Sequence, residues 1–150
     1  MLYLLLVILL ILGERIIKNK MDQRREGDTL ILKEKIIIRR YRNKGVALNF
    51  LQENVKLVKI ITGCLIGGLG IVFICILRKK DCGLYKLGMA MMLGGAISNF
   101  SDRLERGYVV DYFSFNFGKK FKEIVFNLAD VFVVIGGLII VIANICKGHK

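Results

Sequence analysis

Four blocks of apolar residues, separated by charged connections, constrain this chain more than any other feature. Met1 to Ile17 is apolar apart from Gly13, Glu14 and Arg15, and Ile60 to Leu77 carries no charge. Leu87 to Phe100 is apolar and glycine-rich, and Ile124 to Cys146 is interrupted only by Asn127, Asp130 and Asn144. Residues grouped this way do not wrap a globular core; they dissolve in lipid. The chain therefore reads as an all-α membrane protein, with four transmembrane helices over about 1–18, 57–77, 85–101 and 124–146 in one integral membrane domain spanning 1–150. A hydrocarbon core needs roughly 20 helical residues. The first and third blocks are shorter, so they must recruit polar flanks such as Lys18, or Ser98 and Asn99.

The N-terminal block lacks a basic residue before it and a small-residue cleavage pattern after it, which favours a retained span over a removed leader. A net charge of +12 would point to nucleic acid in a soluble protein. Here it is assigned to interfacial Lys and Arg meeting anionic membrane lipids, because no aromatic and basic interleaving resembles a nucleic-acid module. Cys64 and Cys75 share one span, there is no Cys-x-x-Cys, and the lone His149 lies in the C-terminal tail. Neither a metal site nor a Cys-His nucleophile has its parts, and no cofactor is expected.

The connection over 19–55 is charged at first, then carries Leu30-Ile31-Leu32 and Ile36-Ile37-Ile38, which read as two short strands. Asn43-Lys44-Gly45 reads as a turn, and Val46 to Phe50 leads back toward the membrane. Residues 101–123 form the second substantial connection. With four spans, both termini share a side with the basic link Arg78-Lys79-Lys80, yet the 19–55 connection carries more Lys and Arg. Its charges are diluted by Asp22, Glu26, Asp28, Glu34 and Glu53, so charge alone leaves the orientation undecided.

The polar residues at the ends of the spans carry the chemistry. Asn99, Asp102 and Arg103 fall at i, i+3 and i+4 on one helical face. A satisfied helix terminus is the competing reading, with Asp102 pairing with Arg103. Asn127 and Asp130 repeat the i, i+3 spacing, and Asp130 reads as a full turn or more inside an apolar run, where a lone charge is expensive. Asp111, after the β-like Tyr108-Val109-Val110, gains meaning as its companion. Two adjacent carboxylates cannot both ionise comfortably; one can deprotonate a water while the other, protonated, hydrogen-bonds a scissile carbonyl. Asn99, Asn127 and Arg103 are the natural orienting groups.

Gly94-Gly95-Ala96-Ile97-Ser98-Asn99-Phe100-Ser101-Asp102-Arg103, then Arg106-Gly107-Tyr108-Val109-Val110-Asp111, then Phe126-Asn127-Leu128-Ala129-Asp130, resemble the paired signature of signal peptidase II, the lipoprotein signal peptidase. The length, the four spans and Asn43-Lys44-Gly45-Val46-Ala47-Leu48 match as well. The resemblance implies a catalytic dyad of Asp111 and Asp130, a supporting shell of Asn99, Asp102, Arg103 and Asn127, and a substrate-side contact at Asn43. Glu14, Lys18 and Gly45 become further supporting or substrate-binding positions. It also implies a bacterial plasma membrane, cytoplasmic termini, a small extracytoplasmic β-rich segment made from residues 19–55, and cleavage of lipid-modified prolipoproteins just before a diacylglyceryl-modified cysteine. The family usually carries Asp-Gln-x-x-Lys in its first span, whereas this chain has Glu14-Arg15-Ile16-Ile17-Lys18, which marks a divergent member. Asp22-Gln23 is read as an accidental echo in the polar loop. The alternatives are a non-catalytic lipoprotein-binding paralogue of the same fold and a small four-helix transporter.

Overall fold

The computed structural model describes residues 1–45 and 54–148. Val46–Phe50, with the Val46-Ala47-Leu48 part of the motif, and His149 lie outside the described residues. Four long helices dominate: α1 (Leu2–Asp22), α2 (Val55–Leu77), α3 (Gly83–Glu105) and, after the short α4 (Gly118–Glu123), α5 (Leu128–Gly148). Helix α2 starts where Asn54 accepts the Leu57 N–H at 3.1 Å, an N-cap the sequence supplies directly. Helix α1 runs past its apolar block to include Lys18, and α3 carries Ser98 and Asn99 near its C-terminal end.

Among the described residues, only α2 and α5 are long and apolar enough on their own to cross a membrane, with mean hydropathies of 2.7 and 2.5. Just 6% and 17% of those stretches are buried, which separates them from the core helices of a soluble protein. Large apolar side chains such as Leu5, Leu9, Ile60, Leu65, Leu138 and Ile145 stand exposed, a surface that water does not tolerate over such an area. The packed interior is small. Val7, Phe73, Met89, Ala90 and Leu93 join α1, α2 and α3. Helix α3 packs against α1, α2 and α5, approaching α5 so closely that a Cβ on Gly88 would lie 2.6 Å from the Gly136 carbonyl and one on Gly95 2.3 Å from the Ala129 carbonyl.

The polar end carries a three-stranded antiparallel sheet of order β1-β2-β3: β1 (Thr29–Ile31), β2 (Ile36–Asn43) and β3 (Val109–Phe115). The expected β-rich segment is thus not built from 19–55 alone. Its third strand comes from the connection after α3, and pairing with it lengthens β2 from the expected Ile36–Ile38 to Asn43. Gly107, at φ +80°, makes the left-handed turn that redirects the chain from α3 into β3. The β2–β3 register shifts between Ile38 and Tyr41, so Tyr41 rather than Arg40 faces Asp111. That bulge makes Asn43, not Arg42, the diagonal same-face neighbour of Asp111.

Helix α5 begins at Leu128, later than the 124 expected from hydropathy, because Phe126 bridges to Phe113 in extended form. Asp130 therefore lies in the first helical turn and not a full turn inside an apolar run. Asp22 also moves from its expected place: it ends α1 and accepts from Arg42 Nε at 2.9 Å, Arg106 Nη1 at 3.2 Å and Tyr108 Oη at 3.0 Å, joining α1, β2 and the turn between α3 and β3. The four cysteines are free.

Candidate active site

Two residues one helical turn apart on α1, Glu14 and Lys18, enter the polar end of the molecule from beneath and are buried to 2% and 0% exposure. A fully buried ammonium must place all three of its donors. Lys18 Nζ reaches Ser98 Oγ at 3.2 Å, Asn99 Oδ1 at 2.7 Å and Asp102 Oδ2 at 3.0 Å. Arg15, on another face of α1, instead makes an exposed fork to Glu105 at 2.8 and 2.9 Å and takes no part in the site. The divergent first-helix motif thus sends its charged newcomer outward and keeps Glu14 and Lys18 inside.

Asn99 Oδ1 accepts from Lys18 and, at 3.1 Å, from Asn127 Nδ2, which leaves its amide Nδ2 to donate to Asp130 Oδ1 at 2.8 Å. Asn127 is fixed the same way. Its Oδ1 accepts the Asp130 N–H at 3.0 Å while Asp130 Oδ2 accepts the Asn127 N–H at 3.1 Å, a reciprocal cap of α5. The remaining Asn127 Nδ2 donates to Asp111 Oδ1 at 2.6 Å, and Asn43 Nδ2 donates to Asp111 Oδ2 at 3.0 Å. Asn43 Oδ1 accepts the Gly45 N–H at 3.0 Å, the local bond expected of this turn. Asp111 and Asp130 are therefore linked through Asn127 and Asn99 by an unbroken run of hydrogen bonds.

Arg103 does not pair with Asp102 as the helix-end reading had it. Its Nη2 donates to the Gly45 carbonyl at 2.9 Å and its Nη1 to the Asn99 carbonyl at 3.3 Å, while Asp102 meets Lys18, Arg106 Nε at 3.3 Å and the Val110 N–H at 3.3 Å. All ten positions singled out in the sequence converge here: Asp111, Asp130, Asn43, Asn99, Asp102, Arg103, Asn127, Glu14, Lys18 and Gly45. Burial, reinforced by the neighbouring charge of Asp130, pushes the Asp111 carboxyl up to about 7 against the lowering effect of the Asn43 and Asn127 amides. Among the described residues no group of three His, Cys, Asp or Glu is placed to hold a metal ion.

Tyr112 escapes the sequence reading, whereas Ser98 is read there only as a polar flank and Arg106 only as part of the signature. Tyr112 donates its hydroxyl to Glu14 at 3.1 Å and accepts the Leu128 N–H at 3.0 Å, while Glu14 Oε1 accepts the Ala129 N–H at 2.7 Å. A tyrosine beside a strand aspartate has no sequence signature for such a contact; its partners lie on α1 and α5.

The family description "Signal peptidase (SPase) II" matches residues 4–146. The lipoprotein signal peptidase of Caldanaerobacter subterraneus subsp. tengcongensis is 38% identical over 71% of this chain and 68% of its own length. That of Clostridioides difficile is 34% identical over 91% and 89% respectively. Among solved structures, a bacterial membrane enzyme determined at 2.3 Å superposes with a TM-score of 0.83 at 26% identity, covering 97% of this chain and 88% of the other. A second, determined at 1.9 Å, gives 0.79 at 25% identity over 94% and 90%. The matching signature, the shared fold and the extent of the match together make this chain a member of the signal peptidase II family.

Proposed function

We propose that this chain is an aspartic endopeptidase that removes signal peptides from diacylglyceryl-modified prolipoproteins, working as four spans in a bacterial plasma membrane. The observation that carries the reading is the run from Asp111 through Asn127 and Asn99 to Asp130, a buried and a half-buried carboxylate held by amides whose orientation is fixed. Asp111, held up to about 7, keeps a proton near neutrality that a lone carboxylate would lose. One carboxylate takes a proton from water as the oxygen attacks the scissile carbonyl. The protonated partner hydrogen-bonds the developing oxyanion, then a proton passes to the leaving amine as the tetrahedral intermediate collapses. Asn99, Asn127 and Asn43 keep both carboxylates aimed; Lys18 holds the Asn99 amide, Asp102 holds Lys18, and Arg103 holds the Gly45 carbonyl.

In this reading α1, α2, α3 and α5 cross the membrane, both termini and the link between α2 and α3 lie in the cytoplasm, and the sheet stands at the outer face beside the dyad. The names of the relatives support lipoproteins as substrates. The test is mass spectrometry of a model prolipoprotein bearing a diacylglyceryl cysteine, incubated with the purified protein in detergent. Release of the signal peptide with a new N-terminus at the lipidated cysteine is expected. An intact substrate, bound but uncut, would favour the non-catalytic paralogue.

A further inference from the structure

The first turn of α5 has its free N–H groups satisfied by three different parts of the chain. Tyr112 Oη accepts from Leu128, Glu14 Oε1 accepts from Ala129, and Asn127 Oδ1 accepts from Asp130. Orphan donors at a helix start are ordinarily met by a local cap or by water. Here two are met from β3 and α1, and the two supplying side chains are themselves joined, since the Tyr112 hydroxyl donates to the Glu14 carboxylate at 3.1 Å. Tyr112 is next to Asp111 in the strand, and its own N–H donates to the Phe126 carbonyl at 2.8 Å. The strand that carries one aspartate therefore grips, by main chain and by hydroxyl, both sides of the residue that caps the helix carrying the other.

We infer that Tyr112, acting with Glu14, is a positioning residue that fixes the first turn of α5 and so sets where Asp130 stands relative to Asp111. This rests on the protease reading above and adds to it a residue that does not touch the reacting atoms. Without the hydroxyl the Leu128 N–H, held in a part-buried site, loses its acceptor, and the turn is free to settle elsewhere. A displacement of a fraction of an ångström between paired carboxylates lowers the chemical step more than substrate affinity.

The test compares wild type with Tyr112→Phe, which keeps the ring, and with Tyr85→Phe, which removes a single exposed hydroxyl bond, to Asn144 Oδ1 at 2.9 Å, at the far end of the same α3–α5 pair. Cleavage of a diacylglyceryl-modified peptide is followed for kcat and KM, and amide exchange by mass spectrometry over the segment containing Leu128 and Ala129. For Tyr112→Phe, kcat should fall about tenfold with KM changed by less than about twofold, and exchange at that segment should quicken. Tyr85→Phe should alter none of these. Glu14→Ala should match or exceed the loss, and adding Tyr112→Phe to it should cost little more, because the pair acts as a unit. An unchanged kcat in Tyr112→Phe, or a raised KM alone, overturns the inference. Failure of the wild type to cleave overturns the protease reading instead, and unchanged exchange in Tyr112→Phe would then dispose of the tether on its own.

Discussion

An asparagine at position 111 is a poor isostere of the aspartate it replaces. Asp111 accepts from Asn127 on one oxygen and from Asn43 on the other, so an amide must turn its NH2 toward another donor. Asp130 has the same difficulty between Asn99 Nδ2 and the Asn127 N–H. Asp111→Asn and Asp130→Asn should each reduce cleavage at least about a hundredfold, by removing the group that moves a proton. Each should also lose about 1–3 kcal/mol of stability to the orphaned donor. Peptide turnover and detergent melting measure the two effects, and alkaline extraction checks that insertion survives; turnover near wild type in either variant would sink the dyad. The pH response follows from Asp111. A carboxyl raised from 3.8 to about 7 favours the folded state in its protonated form, so that contribution is complete below pH 4 and is lost as pH climbs through about 7. The proposed mechanism needs the same shared proton. The rate profile should fall on its alkaline side near 7, and melting temperature should drop between pH 4 and 8 with a slope that Asp111→Asn flattens.

At the scale of elements, the site depends on how closely α3 and α5 approach. Gly95 stands one turn before Asn99, and a Cβ there would press to 2.3 Å on the Ala129 carbonyl, next to Asp130. Backbone cannot yield as a flexible side chain can. Gly95→Ala should therefore cost about 1–3 kcal/mol of stability and displace the first turn of α5, lowering kcat as well. Gly67 on α2 has nothing within 4 Å of its would-be Cβ, so Gly67→Ala should be neutral or slightly stabilising. Melting and kinetics of the two variants in the same detergent separate a close-packing requirement from a general intolerance of alanine. The exposed Arg15–Glu105 fork joins the same α1–α3 surface but should contribute under about 1 kcal/mol, since both side chains are half in solvent.

For the whole molecule the question is which way it faces. The proposed reaction needs the dyad on the side where a lipid-modified cysteine is presented, and the sheet that carries Asp111 also carries Thr29. Cys82 lies at the opposite end of the helices, at the start of α3. A membrane-impermeant thiol reagent applied to intact cells should label a Thr29→Cys variant and spare Cys82, against the naive count of positive charges. The folded sheet is the reason to set that count aside, because its Arg residues are largely committed: Arg39 to Asp28, Arg40 to Glu26 and Arg42 to Asp22. The reverse labelling would invert the molecule and remove the dyad from its substrate.

The apolar blocks, the strand-forming isoleucines and the Asn-x-x-Asp spacings were all legible along the chain, because lipid solubility, β-propensity and helical facing are properties of neighbouring residues. From them came the helices, the two aspartates and the amides that bond to them. What lay beyond the sequence depends on residues far apart in it. Lys18 and Glu14 acquire their partners 80 to 115 positions away; β3 completes a sheet begun before α2; the bulge in β2 puts an amide beside Asp111 where an unbroken register would put a guanidinium. The start of α5 is the clearest case. Hydropathy sees an apolar run from Ile124 and buries Asp130 within it, whereas pairing of Phe126 with Phe113 holds the chain extended until Asn127 can cap the helix. Only that tertiary contact brings Asp130 to the first turn, where the helix end, Tyr112 and Glu14 hold it within reach of Asp111's field.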